Sequence, residues 1–254
     1  MNTTRIRLIF AVAVCLYGFT VCLPVFLAQQ SNTLTPVEQE FFDNIKKGNA
    51  EKVAELLKQR PELIKAKSKN GTSPILFAVF TGHKEIAESL IGTGVEPNIF
   101  EAAATGRIER LRELIKKDPQ SVKAFSSDGW TALHLNWGNP QIAEVLLDSG
   151  SDINAISKNR FIATPLQSAV AAKWTAAARF LIERGADVNC RGDGGFSPLH
   201  EAAGSGQLEI ARLLLEHGAK TDAKAEGDKT PLTIAIEFKQ EELATLLREW
   251  KPKP

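Results

Sequence analysis

Four tetrapeptides constrain this chain more than any other feature. Thr131-Ala132-Leu133-His134, Thr164-Pro165-Leu166-Gln167, Ser197-Pro198-Leu199-His200 and Thr230-Pro231-Leu232-Thr233 are versions of one another, and their first residues stand 33 apart each time. Behind each comes a short stretch rich in alanine or other apolar residues. A second, leucine-rich stretch follows, such as Ile210-Ala211-Arg212-Leu213-Leu214-Leu215, and then a glycine turn such as Gly185-Ala186-Asp187-Val188-Asn189. One unit of this size cannot bury its own apolar face, so units on a fixed period must stack on their neighbours.

Each recurring residue has a physical reason. Threonine or serine caps the first helix, and proline fits its first turn, where a missing N–H costs nothing. The pairs Ala102-Ala103 and Ala202-Ala203 let adjacent helices approach closely. Leucine at i, i+3 and i+4 gives the second helix one stacking face. The glycine behind it suits a left-handed C-terminal cap.

The motif resembles the ankyrin repeat, whose pattern is T-P-L-H-x-A on a 33-residue period. The resemblance implies an all-α solenoid of about seven stacked helix pairs with short β-hairpin or loop fingers, occupying residues 37–254. Earlier copies are degenerate. Ser73-Pro74-Ile75-Leu76 opens one, and Asn98-Ile99-Phe100-Glu101-Ala102-Ala103 opens the next, aligned on Glu201-Ala202-Ala203. The first, Phe41 to Ala66, keeps only a helix pair around Gly48, while Glu241, Glu242, Arg248 and Lys251 make the last copy polar, as a solenoid cap should be.

Departures from the period mark where units differ. Ser73 to Asn98 falls well short of a full repeat, which predicts a missing finger. Pro61 and Pro119 stand where other copies have Gly-Ala-Asp and predict longer, different exit loops from their second helices. The fourth copy is two residues short before Gly138, and the next finger is two residues long, carrying Lys158-Asn159-Arg160-Phe161-Ile162. An apolar pair at such a tip is unusual, because loops run over the surface.

The N-terminus reads as an address. Arg5 and Arg7 precede a run, Leu8 to Ala28, that holds no charged residue. That layout is a signal peptide or a single transmembrane anchor over 1–28, an apolar helix followed by a linker over 29–36. The arginines precede the run and Gln29 to Phe42 carries no Lys or Arg, so the positive-inside rule places the repeat domain outside the cytoplasm, anchored, or secreted or periplasmic if the run is cleaved.

Catalytic, cofactor and metal readings find little support. His134 and His200 are motif residues, His83 and His217 recur with the repeat, and none converge on ligand spacing. The resemblance gives the motif histidine a structural hydrogen-bonding role between neighbouring turns. Cys15 and Cys22 lie in the apolar run, leaving Cys190 without an evident partner, and Gly192-Asp193-Gly194-Gly195 lacks the Lys-Ser/Thr of a phosphate loop. A formal net charge of +1 argues against nucleic acid. The expectation is a monomeric, non-enzymatic scaffold for a protein partner, touching membrane through the N-terminal segment alone. A membrane-tethered spacer or assembly subunit is the alternative. Expected contact residues are Trp130 and Phe196 on the fingers, Arg160 and Phe161 on the enlarged finger, and Phe80 and Phe238 on the first-helix face, since aromatics and arginine are enriched in interface hot spots.

Overall fold

Proline-led caps set the helix starts. A computed structural model describes residues 34–136 and 138–251. Its helices are α1 (Pro36–Lys46), α2 (Ala50–Gln59), α3 (Pro74–Phe80), α4 (Lys84–Gly92), α5 (Ile99–Ala104), α6 (Ile108–Lys117), α7 (Pro140–Asp148), α8 (Pro165–Ala171), α9 (Thr175–Glu183), α10 (Pro198–Ser205), α11 (Leu208–Glu216), α12 (Pro231–Glu237) and α13 (Glu241–Glu249). The side chains of Thr35, Ser73, Thr164 and Thr230 each accept the N–H three residues on, with proline at the first helical position. Helix α1 begins at Pro36, inside the segment expected to be linker. Thr35 and Glu38 cap it reciprocally.

Consecutive helices pair and the pairs stack. First helices pack on first helices, as α8 on α10 and α10 on α12, and second helices on second helices, as α9 on α11. Short exits replace the Gly-Ala-Asp turn where proline stands, as 3-10 turns at Pro61–Lys65 and Pro119–Lys123. Among the described residues the fingers contain no strand. Isolated bridges, Phe125 to Thr131 and Ala225 to Lys229, are as far as pairing goes, so the fingers are tight turns rather than hairpins.

Seven units are present, but only six have two helices among the described residues. In the fourth, Thr131 to Leu135 makes a single turn before α7. The buried Asn136 side chain ends it, donating to the Leu133 carbonyl at 2.7 Å and accepting from the Gly138 N–H at 2.9 Å. The two residues missing from this copy are the missing part of a helix. A recess of about 160 Å³ lies beside the shortened unit, lined by Val79, Ala87, Ala104, Thr105, Asn136 and Asn139. The apolar core divides nearby. One cluster runs from Phe41 to Ala104 and ends on Leu135; the other runs from Ile99 to Leu247.

The apolar run 8–28 and the segment 29–33 lie outside the described residues, as does Trp137. Among the described residues no helix is long and apolar enough to cross a membrane.

Candidate partner-binding surface on the fingers

Backbone closure defines each finger. Ser68 N–H bonds the Thr72 carbonyl, Ser126 the Trp130 carbonyl, Gly192 the Phe196 carbonyl and Ala225 the Lys229 carbonyl, all over four residues. The finger between them closes over six, Ser157 N–H to Ala163 carbonyl, which is the two-residue excess read from the sequence. No finger separates α4 from α5. The flanking fingers meet across the gap instead: the Ser127 hydroxyl donates to the Gly71 carbonyl at 2.6 Å, and the Thr72 hydroxyl to the Asp128 carboxylate at 3.1 Å. The enlarged finger docks on the same neighbour. Lys158 N–H reaches the Gly129 carbonyl at 2.8 Å, and the Asn159 amide the Asp128 carbonyl at 3.1 Å.

Three expected contact residues come together there. The Phe161 ring stacks on Trp130 with centroids 5.7 Å apart and planes 19° apart, while the exposed Arg160 guanidinium lies 5.0 Å from the Phe161 centroid. The finger closes on Ala163, too small to fill the place that Trp130 and Phe196 take in other units, and Phe161 from the insertion covers that face of Trp130. Two exposed apolar side chains flank it, Ile156 at 56% and Ile162 at 47%. Ile162 sits at φ +47°, an unusual conformation for a β-branched residue that costs on the order of 1–3 kcal/mol. The sequence reading noticed Ile162 in the apolar pair at the tip but counted neither isoleucine among the contact residues. Their signal was the apolar residue at a position flanking or filling an enlarged turn.

The other three expected residues do not join this surface. Phe196 is 2% exposed, its ring edge-on to His200 at 5.7 Å and lying beneath Gly194 of its own finger, so it is core rather than contact. Phe80 and Phe238 are half-buried against the two different core clusters, one in the second unit and one in the last.

Behind the fingers runs a relay of side chains. His134 Nδ1 accepts the Thr131 N–H, and Nε2 must carry the proton, because it faces the Ala163 carbonyl at 2.8 Å and a carbonyl can only accept. His200 repeats this with Ser197 and the Lys229 carbonyl at 3.0 Å. Gln167 does the same with an amide, accepting from Thr164 N–H and donating to the Phe196 carbonyl at 2.9 Å. Each acceptor stands 29 residues on and is the carbonyl that closes the next finger, so one oxygen uses both lone pairs. Unit is thereby tied to unit at a constant interval.

Residues 136–225 and 195–253 match the family of ankyrin repeats (3 copies). Before that match in the chain, the helix-pair pattern extends back to Pro36. Among curated relatives, a probable 26S proteasome regulatory subunit p28 of Saccharomyces cerevisiae is 29% identical over 65% of this chain and 59% of its own length. Alpha-latroinsectotoxin-Lt1a of Latrodectus tredecimguttatus is 30% identical over 33% of this chain, and the mouse ankyrin repeat and SAM domain-containing protein 6 is 27% identical over 50%. The chain spans 7% and 12% of those two relatives, and less than two thirds of the yeast subunit.

Titratable groups in the repeat core are shifted by burial. Burial lowers His134 to about 4, against a smaller opposing effect of its bond to Ala163, and also lowers His200. Burial pushes the Cys190 thiol up to about 12, so it is protonated at neutral pH and a poor nucleophile. Glu201 is raised well above the ordinary carboxylate range by burial alone, and its Oε2 has no hydrogen-bond partner. No group of His, Cys, Asp and Glu able to hold a metal occurs among the described residues.

The lowered His134 has a consequence for stability against pH. Between about 4 and the unfolded value of 6.5 the unfolded chain binds the proton that the folded chain refuses, so this residue's contribution is full above pH 6.5 and is lost as pH falls toward 4. The loss is at most about 3 kcal/mol. His134→Gln copies the Gln167 solution and should flatten that acid limb while leaving neutral stability nearly unchanged. Denaturant titrations at several pH values test it, and an unaltered limb would refute the assignment.

Proposed function

We propose that this protein is a non-enzymatic scaffold that captures a protein partner on its fingers, with the enlarged fourth-to-fifth finger as the main contact. One observation carries the reading: two exposed isoleucines flank an Arg160–Phe161–Trp130 stack on a finger two residues longer than the others. Rigid aromatics beside exposed apolar side chains suit a binding hot spot, because little side-chain entropy is lost on contact. The strain at Ile162 supports it further, since sparsely populated backbone conformations cluster at functional sites. The ankyrin match fits an interaction module.

The test uses the full-length chain as bait in native extract beside a variant carrying Ile156→Ser and Ile162→Asn. Both side chains are exposed, and asparagine tolerates the left-handed region, so the variant should melt no lower than the parent. It should nevertheless lose partner capture at least tenfold. Equal capture would move the site off this finger, and absence of any partner would favour the tethered-spacer reading. Placement of the domain outside the cytoplasm belongs to the same proposal and rests on Arg5, Arg7 and the apolar run. Protease added to cells with any outer membrane opened and the inner membrane intact should cut the repeat domain; full protection would refute that placement.

A further inference from the structure

We infer that the first three fingers form one basic surface that takes an acidic, extended segment of the partner protein. The inference rests on the scaffold reading and specifies the chemistry of what is bound. Charge is distributed unevenly along the finger row. From three residues before each opening residue to its closing residue, the first three fingers (65–72, 123–130, 154–163) hold six basic residues and one acidic. The last two (189–196, 222–229) hold three basic and four acidic. In the last two fingers the charges are also spent internally. Arg191 bonds the Lys224 carbonyl, Lys224 pairs with Asp228 at 3.3 Å, and Lys229 with Glu237 at 2.5 Å.

In the first three the cations are unspent. Lys67, Lys69, Lys123, Lys158 and Arg160 are exposed, and none forms an ion pair among the described residues. The single acid, Asp128, is engaged by the Ser126 and Thr72 hydroxyls. The missing finger between α4 and α5 is what unites them. Residues 71 and 127 touch although 56 positions separate them, so Lys67 and Lys69 stand beside the finger that also receives Lys158 and Arg160. Two of the cations are held in place by rings, Lys158 with its Nζ 4.1 Å from the Phe125 centroid and Arg160 over Phe161. Such contacts reduce the rotamer freedom that would be lost on binding.

An acidic protein segment suits this surface better than nucleic acid. Nucleobases need free aromatic faces, and the Phe161 ring already has Trp130 and Arg160 against it, while Trp130 also meets His134 at 5.3 Å. Acidic side chains need only the cations, and the flanking Ile156 and Ile162 give an apolar residue in the same segment a place to rest.

The experiment measures binding of a short fluorescein-labelled Glu-rich peptide with one central leucine to the full-length chain, beside single-stranded DNA of equal charge. The peptide should bind, and more weakly as salt rises, since exposed charges are screened over about 10 Å at 0.1 M. Lys158→Glu with Arg160→Glu should weaken it about tenfold or more while the melting curve stays in place. Lys224→Glu in the last finger should change it less than about twofold, as expected for a screened surface charge. Failure of the parent to bind the peptide, equal loss in the Lys224 variant, or tighter binding of DNA would each overturn the inference. If partner capture still depended on Ile156 and Ile162, the scaffold reading would stand without it.

Discussion

Leu214→Ala should lower the stability of the folded chain by about 2–5 kcal/mol, the range for a leucine truncated in a core that cannot collapse around the gap. Leu214 is 0% exposed, and α11 packs against α9 in the preceding unit, α10 in its own and α13 in the next. Its side chain belongs to the helix that stacks three units, so the lost contacts are inter-unit ones. Denaturant unfolding followed by circular dichroism would measure the change as a shift of midpoint. An unshifted midpoint would mean that this face of α11 does not stack, and the register of the whole C-terminal half would fall with it.

Gly129→Ala should have an effect of similar size for a different reason. Gly129 adopts φ +83°, so any side chain costs about 1–2 kcal/mol in conformational strain. Its added Cβ would also lie 2.7 Å from the Lys158 carbonyl carbon and 2.9 Å from its oxygen. Those are backbone atoms and cannot swing aside, which adds about 1–3 kcal/mol. Gly150→Ala separates the two contributions, since Gly150 has φ +92° and a Cβ added there would meet nothing within 4 Å. Gly129→Ala should be the more destabilising of the pair and should loosen the enlarged finger from its neighbour. Equal losses would show that the Gly129 to Lys158 contact contributes nothing.

Much of this architecture was legible in sequence because a period reports on itself. The 33-residue spacing located the helices of the last three units, and the short interval from Ser73 to Asn98 marked the absent finger. What the spacing could not show was which groups the absence would bring together, because the Ser127 to Gly71 bond joins residues that share no motif. Phe196 and Trp130 occupy the same place before the motif, yet only Trp130 is partly open. The difference lies in the finger over Phe196, where Gly194 lets the backbone approach the ring.

Glu101 and Glu201 teach the same lesson. They align by their Ala-Ala followers, but α5 begins one residue later than α10 relative to that pair. Glu101 therefore falls in the first turn, accepts the Asn98 N–H at 3.0 Å and the Ser73 hydroxyl at 2.6 Å, and caps its helix. Glu201 lies one position too far along to do so, and its Oε2 is buried without a partner. The fourth unit escaped the pattern in another way. Thr131-Ala132-Leu133-His134 keeps the motif and its relay bond, so the sequence promised a helix where only one turn is built.

Six junctions join the seven units, but only five carry a finger among the described residues. One edge of the stack therefore has a step fewer than the other, and the tips on either side of the omission are drawn into contact. In any row of blocks, unequal edges bend the row toward the shorter one, as tapered stones make an arch. The finger brought against the first one is the second, through Ser127 and Gly71, and that same second finger receives Lys158 and Asn159 of the enlarged one. A deletion that looks like decay of the repeat thus puts three fingers in one contiguous row of contacts.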